Sequence, residues 1–299
     1  MTPINRRDLL SGAGLLAGAA VSSSALARAG AAQGDEPELP GRTSHTKFAV
    51  NIEAWFGKLA LPDRVRGAAA LGFPAIEFWP WHGKDLDALE AALHETDTAV
   101  AQFTAWGFSP GLNDPANHNA FVKEIAASCA VAKRFACEKM CVVAGNDITG
   151  VSNAEMLDAV TRGLKLAKPV VEDAGVMLIL EPMNGRVDHP GHCLYGSPDA
   201  VRICREVDSP MVKINWDLYH MQISEGDLCG HLREGFDQVG YLQVADHPGR
   251  REPGTGEIHY NRVLREAHEL GYRGYVGLEC WPSEDERTAA LRVHAADQW

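Results

Sequence analysis

The 299-residue sequence has few positively charged residues and few long runs of apolar residues. Lys and Arg total 28 against 40 Asp and Glu, which gives a formal net charge of −12. An acidic chain repels phosphate, so this composition argues against a nucleic-acid-binding surface. The one apolar stretch that approaches the length of a membrane span lies at the N-terminus, which excludes a multi-pass membrane protein. With 45% hydrophobic and 23% charged residues, the chain has the composition of a globular protein of one large domain or two ordinary ones.

Several sequence motifs of common enzyme classes are also missing. The chain contains no Walker phosphate-binding loop and no His-Glu-x-x-His zinc motif. Its seven Cys are odd in number and include no Cys-x-x-Cys pair. We therefore expect most of them to be small core residues rather than disulfide partners or zinc ligands, with a disulfide left open if the compartment is oxidising.

In the first 27 residues, the sequence features of an export signal follow one another in the expected order. Arg6-Arg7 forms a twin-arginine pattern, an apolar run of small residues covers 12–21, and Ala25-Leu26-Ala27 fits the A-x-A cleavage rule. We expect a twin-arginine signal peptide at 1–27, a flexible leader at 28–45 and a periplasmic location. The alternative is a basic tail that precedes an ordinary buried helix.

From residue 47 onward, short apolar runs alternate with helical patterns. Runs bounded by Gly and Pro are typical of strands buried on both faces. Strands are expected at 47–53, 75–79, 99–105, 140–144, 176–181, 212–217, 240–246 and 275–279. Eight strand–helix units in about 250 residues predict an α/β fold, a single (β/α)₈ TIM barrel over 46–299. An open doubly wound sheet is the alternative, but no Gly-x-Gly-x-x-Gly follows the first strand.

Side chains with ligating oxygens end four successive predicted strands. They are Glu181, Asp217, Gln243 and Glu279. In a TIM barrel the C-terminal ends of the strands meet at one mouth, where three carboxylates repel one another unless a cation or protons compensate them. Oxygen ligands suit a hard divalent cation, so we predict that these four residues bind one. Each acid taken alone could instead cap a helix or join a salt bridge, and Asp246 could replace Gln243.

Three segments in the second half of the chain resemble hydroxypyruvate isomerases closely. They are Glu181-Pro-Met-Asn, the stretch from Asp217 to Asp227, and the stretch from Gln243 to Ile258 with its run Pro-Gly-Arg-Arg-Glu-Pro-Gly-Thr-Gly-Glu-Ile. These enzymes belong to the xylose-isomerase-like barrel superfamily, with the tagatose and psicose 3-epimerases as relatives. The resemblance covers about residues 47–282 and is most specific after residue 176.

The resemblance implies a metal site and a catalytic pair. The metal site would consist of Glu181, Asp217, Gln243 and Glu279, with Glu181 and Glu279 as the two catalytic carboxylates. The third ligand is His in the epimerases, so Gln243 points to the hydroxypyruvate isomerase branch. Substrate-binding positions would correspond to His220, Arg250, Glu77 and Glu257 in this sequence.

This set of residues could isomerise a sugar or a keto acid. Moving a carbonyl group to the adjacent carbon removes one proton and returns one next door, through an enediolate that a divalent metal stabilises. Glu181 and Glu279 could act as base and acid, His220 could bond a substrate oxygen, and Arg250 could neutralise a substrate carboxylate. The alternatives are a helix-capping His and a solvated Arg. We expect Mg²⁺ or Mn²⁺, with Co²⁺ or Zn²⁺ as further candidates.

Aromatic residues and two His set the sequence apart from that family. Four Trp follow the first three predicted strands, namely Trp55, Trp79, Trp81 and Trp106. They could stack on a sugar ring, and we assign Trp79 to substrate binding, with packing at the barrel rim as the alternative. His189 and His192 follow the fifth strand. These departures leave the substrate open and favour one larger than hydroxypyruvate.

Other functions are compatible with parts of this pattern. A sugar 3-epimerase, or an enzyme acting on oxidised keto sugars, would use the same residues. A barrel endonuclease for abasic DNA would need a His-rich three-zinc site and a basic face, which the charge and Gln243 argue against. A non-catalytic exported sugar-binding barrel is a more remote alternative. We expect a small carbohydrate or keto acid as partner, no nucleic acid, and no membrane after signal cleavage, with a homo-oligomer left open.

Overall fold

The computed structural model describes residues 38–299, which contain eight parallel strands closed into a barrel. The strands are β1 (Lys47–Asn51), β2 (Ala75–Phe78), β3 (Ala99–Trp106), β4 (Lys139–Val143), β5 (Met177–Glu181), β6 (Val212–Asp217), β7 (Val239–Val244) and β8 (Tyr275–Leu278). Each strand pairs with its successor, and β8 pairs with β1. The predicted TIM barrel is confirmed. The predicted signal peptide and the first part of the predicted leader, residues 1–37, lie outside the described residues.

Helices follow the strands and cover the outside of the barrel. They are α1 (Leu61–Ala70), α2 (Leu86–Thr96), α3 (His118–Arg134), α4 (Asn153–Ala174), α5 (Ser197–Val207), α6 (Leu218–Ser224), α7 (Leu228–Gly235), α8 (Tyr260–Glu269) and α9 (Glu286–Ala296). The longest, α4, begins with a capping box between Ser152 and Glu155 and ends at Gly175, whose φ of 68° lies in the left-handed region. Within 38–299, no helix combines the length and apolar character that crossing a membrane requires.

The short helix α6 is an element that sequence patterns missed. Sequence patterns predict one helix after the sixth strand, at 227–235, whereas the chain turns into α6 directly at the end of β6. The cause is Asp217, whose Oδ1 accepts hydrogen bonds from the backbone N–H groups of Tyr219 and His220 at 2.8 and 3.3 Å. As a result, His220 lies in the first turn of a helix at the barrel mouth rather than in a loop.

The segment just before β1 belongs to the barrel. Gly41 donates a backbone hydrogen bond to the Leu71 carbonyl at 2.8 Å, and the His45 backbone N–H donates to Asp297 Oδ2 at 2.7 Å. The His45 ring stacks on Trp299 with ring centroids 4.4 Å apart. The part of the predicted leader that the structure describes, residues 38–45, thus packs against the barrel and contacts the chain's C-terminal residues.

The barrel interior is apolar at one level and polar at the next. A cluster of mostly small side chains fills the lower level: Ala49, Ala75, Ala101, Cys141, Ile179 and Tyr241. Above it lies Glu77 of β2, which has no exposed surface and accepts hydrogen bonds from four side chains: Asn51, Gln102, Tyr241 and Gln243. Burial, followed by the charge of Glu279, raises the pKa of Glu77 to about 7. This polar level supports the mouth of the barrel from below.

All seven cysteines, each within the described residues, are free, and six of them are buried. The expectation that most are core residues is confirmed. Cys141 of β4 donates its S–H to Glu181 Oε2 at 3.1 Å.

Replacing Gly277 with Ala is expected to destabilise the barrel by about 1–3 kcal/mol. A Cβ at this position in β8 would lie 2.2 Å from Glu77 Oε2 and 2.9 Å from Gln243 Cγ, so the polar level would have to shift. Urea unfolding measures the change. Gly57→Ala is the matched control, because a Cβ there meets nothing within 4 Å. Equal stability of the two variants would contradict this account of the interior.

Candidate active site

Three acids meet at the C-terminal mouth of the barrel. Glu181 ends β5, Asp217 ends β6 and Glu279 follows β8, and all three are at least 94% buried. Together with His220, each offers one potential ligand atom, and these atoms lie within 4.8 Å of one another. The structure therefore brings together the three carboxylates that the strand ends predicted.

The buried carboxylates of this cluster need a positively charged partner. Burial, then the charges of Glu279 and Asp217, raise the pKa of Glu181 well above its usual range. Burial, then Glu279, raise the pKa of Asp217 to about 7. Glu181 Oε1 and Asp217 Oδ2 are buried without a hydrogen-bond partner. Because such oxygens are costly when uncompensated, and because the donors are hard carboxylates, this arrangement fits a divalent cation.

Gln243 lies beside the acids in β7, paired in register with Asp217. Its Nε2 donates to Glu77 Oε1 at 2.8 Å, and its Oε1 accepts from Asn215 Nδ2 at 2.6 Å. The nitrogen is thus committed to the polar level below, and the oxygen, which has a second lone pair, is the atom that could bind a cation. Asp246, the alternative ligand, instead accepts hydrogen bonds from three backbone N–H groups in the loop that follows.

Glu279 accepts hydrogen bonds from three side chains, of which Asn51 is the most distant, at 3.5 Å. Trp79 Nε1 donates to its Oε1 at 2.7 Å, and an Arg250 guanidinium nitrogen donates to its Oε2 at 2.9 Å. Arg250 is also 3.9 Å from Asp188 and lies over the rings of Tyr219 and Trp281, at 5.2 and 5.5 Å from their centroids. Arg250 is therefore a fixed part of the site rather than a solvated charge.

His220 is fully buried, and its hydrogen bonds assign its tautomer. Asn184 Oδ1 accepts from two backbone N–H groups of the next turn, so Asn184 Nδ2 faces His220 Nδ1 at 2.7 Å and donates to it. Burial, then the charge of Arg250, lower the pKa of His220 well below its usual range, so the ring is neutral. The 2.7 Å bond from Asn184 places the single ring proton on Nε2, which is 3.6 Å from Asp217 Oδ2 and 3.8 Å from Glu181 Oε1, beyond hydrogen-bond distance. Nε2 is also 3.4 Å from an Arg250 guanidinium nitrogen, and in this tautomer that longer contact joins two donors. With Nδ1 occupied by Asn184 and the proton on Nε2, His220 has no free lone pair for a cation.

A cavity of about 380 Å³ lies above these groups. Four of the predicted residues line it: Glu181, Glu279, Arg250 and Trp79. Sequence reasoning missed several other lining residues, including Phe108, Met183 and Trp281, and it singled out His189 without assigning it to the wall. Trp281 follows Glu279 by two positions, just beyond the end of the eighth strand. This position in the sequence could have predicted that Trp281 lies at the barrel mouth.

Several predicted substrate contacts are not near this cavity. Glu77 is enclosed in the polar level below, and Glu257 is exposed, where its Oε1 accepts from Gln222 at 3.2 Å. Of the other predicted aromatics, Trp55 is fully buried against Phe73, Trp106 packs edge-on against Phe121, and Trp81 donates to Ser128 Oγ at 3.0 Å. For these three Trp the contacts favour packing at the rim, because none of the three lines the cavity.

Comparison with known proteins relates the chain to sugar and keto-acid isomerases. Residues 65–296 match the family model described as a xylose isomerase-like TIM barrel. The chain is 31% identical to 2-oxo-tetronate isomerase from Cupriavidus necator over 242 residues, which are 79% of this chain and 93% of that protein. It is 29% identical to hydroxypyruvate isomerase from Escherichia coli, with the same coverage of 79% and 93%.

A solved structure shares the fold. The crystal structure of a family 2 AP endonuclease from Brucella melitensis superposes with a TM-score of 0.77 at 24% identity, covering 82% of this chain and 96% of that one. At this identity the likeness concerns the barrel architecture alone.

Exchanging the two side chains at 184 and 188 is expected to invert the His220 tautomer. In the double variant Asn184→Asp with Asp188→Asn, a carboxylate would face His220 Nδ1 and place the proton there, while the total charge stays unchanged. Nitrogen-15 NMR of the imidazoles measures the tautomer, and the other histidines serve as internal controls. An Nε2–H signal that persists at His220 would show that Asn184 does not set the tautomer.

Proposed function

This chain belongs to the xylose isomerase-like TIM barrel family and, within it, to the hydroxypyruvate isomerases, and from that premise we propose that it moves a carbonyl group between adjacent carbons by carboxylate-mediated proton transfer. That the chain is an isomerase follows from its relatives over about 80% of its length. The observation that carries the mechanism is that Glu181 and Glu279, from strands three steps apart around the barrel, line the same cavity.

A divalent cation, Mg²⁺ or Mn²⁺, is part of this proposal. Glu181, Asp217, Gln243 and Glu279 would hold it. When bound, such an ion supplies positive charge against the negative charge that develops on the substrate oxygens. The two unpartnered buried oxygens, Glu181 Oε1 and Asp217 Oδ2, support this part of the proposal.

Glu181 is suited to remove the proton. Its Oε2 is occupied by the Cys141 thiol, whereas its Oε1 has no partner and the residue lines the cavity. Burial and neighbouring carboxylates raise its proton affinity, and a bound cation would offset part of that rise. A proton taken from the hydroxyl-bearing carbon would pass to the Glu181 oxygen that the cation leaves free.

Glu279 and His220 are suited to complete the transfer. Glu279 is oriented by Trp79 and Arg250, which fix the direction from which it can exchange a proton with the neighbouring carbon. His220 presents a neutral Nε2–H, fixed by Asn184, and can donate it to a substrate oxygen as that oxygen gains charge. Fixed donors of this kind need little reorganisation during reaction.

A sugar epimerase is the second candidate. The two carboxylates lie on separate strands and face one cavity, which allows one to take a proton from a carbon and the other to return it on the opposite face. The position and configuration of the labelled carbon in the product distinguish the two reactions.

Glu181→Gln and Glu279→Gln are each expected to reduce proton exchange by 10² to 10⁴-fold, because an amide cannot accept the proton. The measurement is NMR detection of solvent deuterium at the carbons beside the carbonyl, with the metal-loaded full chain and a panel of hydroxypyruvate and uncharged keto sugars. Glu234→Gln, at a side chain that is 81% exposed, is the matched control. Exchange above a tenth of the wild-type rate in either site variant would refute its role.

Chelation is expected to abolish activity, and Mg²⁺ or Mn²⁺ to restore it, since the buried acids need a positive partner. Activity is followed before and after treatment with EDTA and again after addition of each ion. Asp217→Asn, which removes one candidate ligand charge, should weaken Mn²⁺ binding in a direct titration. Activity that survives thorough metal removal would rule out this mechanism.

A further inference from the structure

The cavity above the acids has an aromatic wall, a limited volume and, in the part of the chain that the structure describes, no positively charged side chain that is free to pair with a substrate. From these features, and resting on the proposed function, we propose that the substrate is an uncharged keto sugar of about six carbons in its ring form, not a short keto acid. Charge, volume and shape each support this choice.

The first argument is charge. Arg250 is the only Arg or Lys among the described residues that line the cavity. Its guanidinium is already paired with Glu279 at 2.9 Å, lies 3.9 Å from Asp188, and is covered by the rings of Tyr219 and Trp281. A substrate carboxylate would compete with Glu279 for this single cation. With the proposed divalent ion bound, Arg250 and the ion would balance the charges of Glu181, Asp217 and Glu279. A substrate carboxylate would then add a negative charge near Asp188 with no cation left to pair with it.

The second argument is volume. The cavity measures about 380 Å³. About 10–15 Å³ of such volume is enough for one water molecule, so the cavity has room for a ligand much larger than a three-carbon keto acid. A three-carbon keto acid would leave most of that space to water, whereas a six-carbon sugar would displace more of it. Water left beside the reacting carbons would weaken the electrostatic effects on which proton abstraction depends.

The third argument is shape. Trp79 and Trp281, from the loops after β2 and β8, lie together with ring centroids 6.3 Å apart. Phe108 and His189, from the loops after β3 and β5, stack with centroids 4.9 Å apart. All four line the cavity, and Trp281 keeps 36% of its surface exposed. Flat aromatic surfaces pack against the C–H faces of a sugar ring, a surface that a three-carbon acid lacks.

The test compares two substrates on the full chain loaded with Mn²⁺. The uncharged ring probe is a methyl 3-keto-glucopyranoside, and the acid probe is hydroxypyruvate. Solvent deuterium exchange at the carbons beside the carbonyl should give a kcat/KM at least tenfold higher for the ring probe. The reverse order would overturn this inference and leave the proposed proton transfer intact. Absence of exchange with both probes would overturn the proposed function and this inference with it.

A binding experiment tests the wall without turnover. Trp281→Ala should weaken binding of the unreactive sugar methyl glucopyranoside about tenfold, measured by NMR titration, because it removes part of the aromatic surface. Leu166→Ala, at a side chain 53% exposed on α4, is the control for a surface truncation. Equal affinities of Trp281→Ala and wild type for the sugar would contradict the stacking role.

Discussion

Mutual repulsion among buried carboxylates is the constraint on which the rest of this structure depends. A closed parallel barrel brings the ends of β5, β6 and β8 to one mouth, so Glu181, Asp217 and Glu279 come together away from water. In that environment each acid resists ionisation unless a positive group is near. Arg250 supplies part of this positive charge, and a cation bound near the two unpartnered oxygens would supply the remainder. A destabilising cluster of this kind is typical of a catalytic site.

The residues around the acids hold the polar side chains of the site in defined orientations. Glu77 binds the amide nitrogen of Gln243 and so determines which atom faces the acids. Asn184 does the same for His220, through two backbone donors that prevent its amide from turning over. Neither residue touches the cavity. Site geometry in this barrel is thus imposed from the level below and from the turn that follows β5, because amide and imidazole groups take their orientation from their partners.

The same view explains how one family can include keto-acid enzymes while the substrate proposed for this chain is a sugar. In the proposed mechanism, the acids would supply the proton chemistry common to both substrates. Substrate choice then depends on the loops, and in this chain they contribute Trp79, Phe108, His189 and Trp281 and commit Arg250 to Glu279. Loops of a TIM barrel vary without disturbing the strands, so specificity changes while the reaction type is retained.

Short-range pattern was enough to predict the eight strands, the TIM barrel and the convergence of Glu181, Asp217 and Glu279, because strand burial and strand ends are written in local hydrophobicity. It failed for α6, whose start depends on a cap by Asp217. The family resemblance implied Glu77 and Glu257 as substrate contacts but not their depth, and packing encloses the first and leaves the second exposed. Short-range pattern also could not separate Trp79 from Trp55, Trp81 and Trp106, since all four follow strands. Only the tertiary structure decided these points, because the contacts that orient a loop side chain come from distant parts of the chain, as the bond from Trp79 to Glu279 across 200 positions shows.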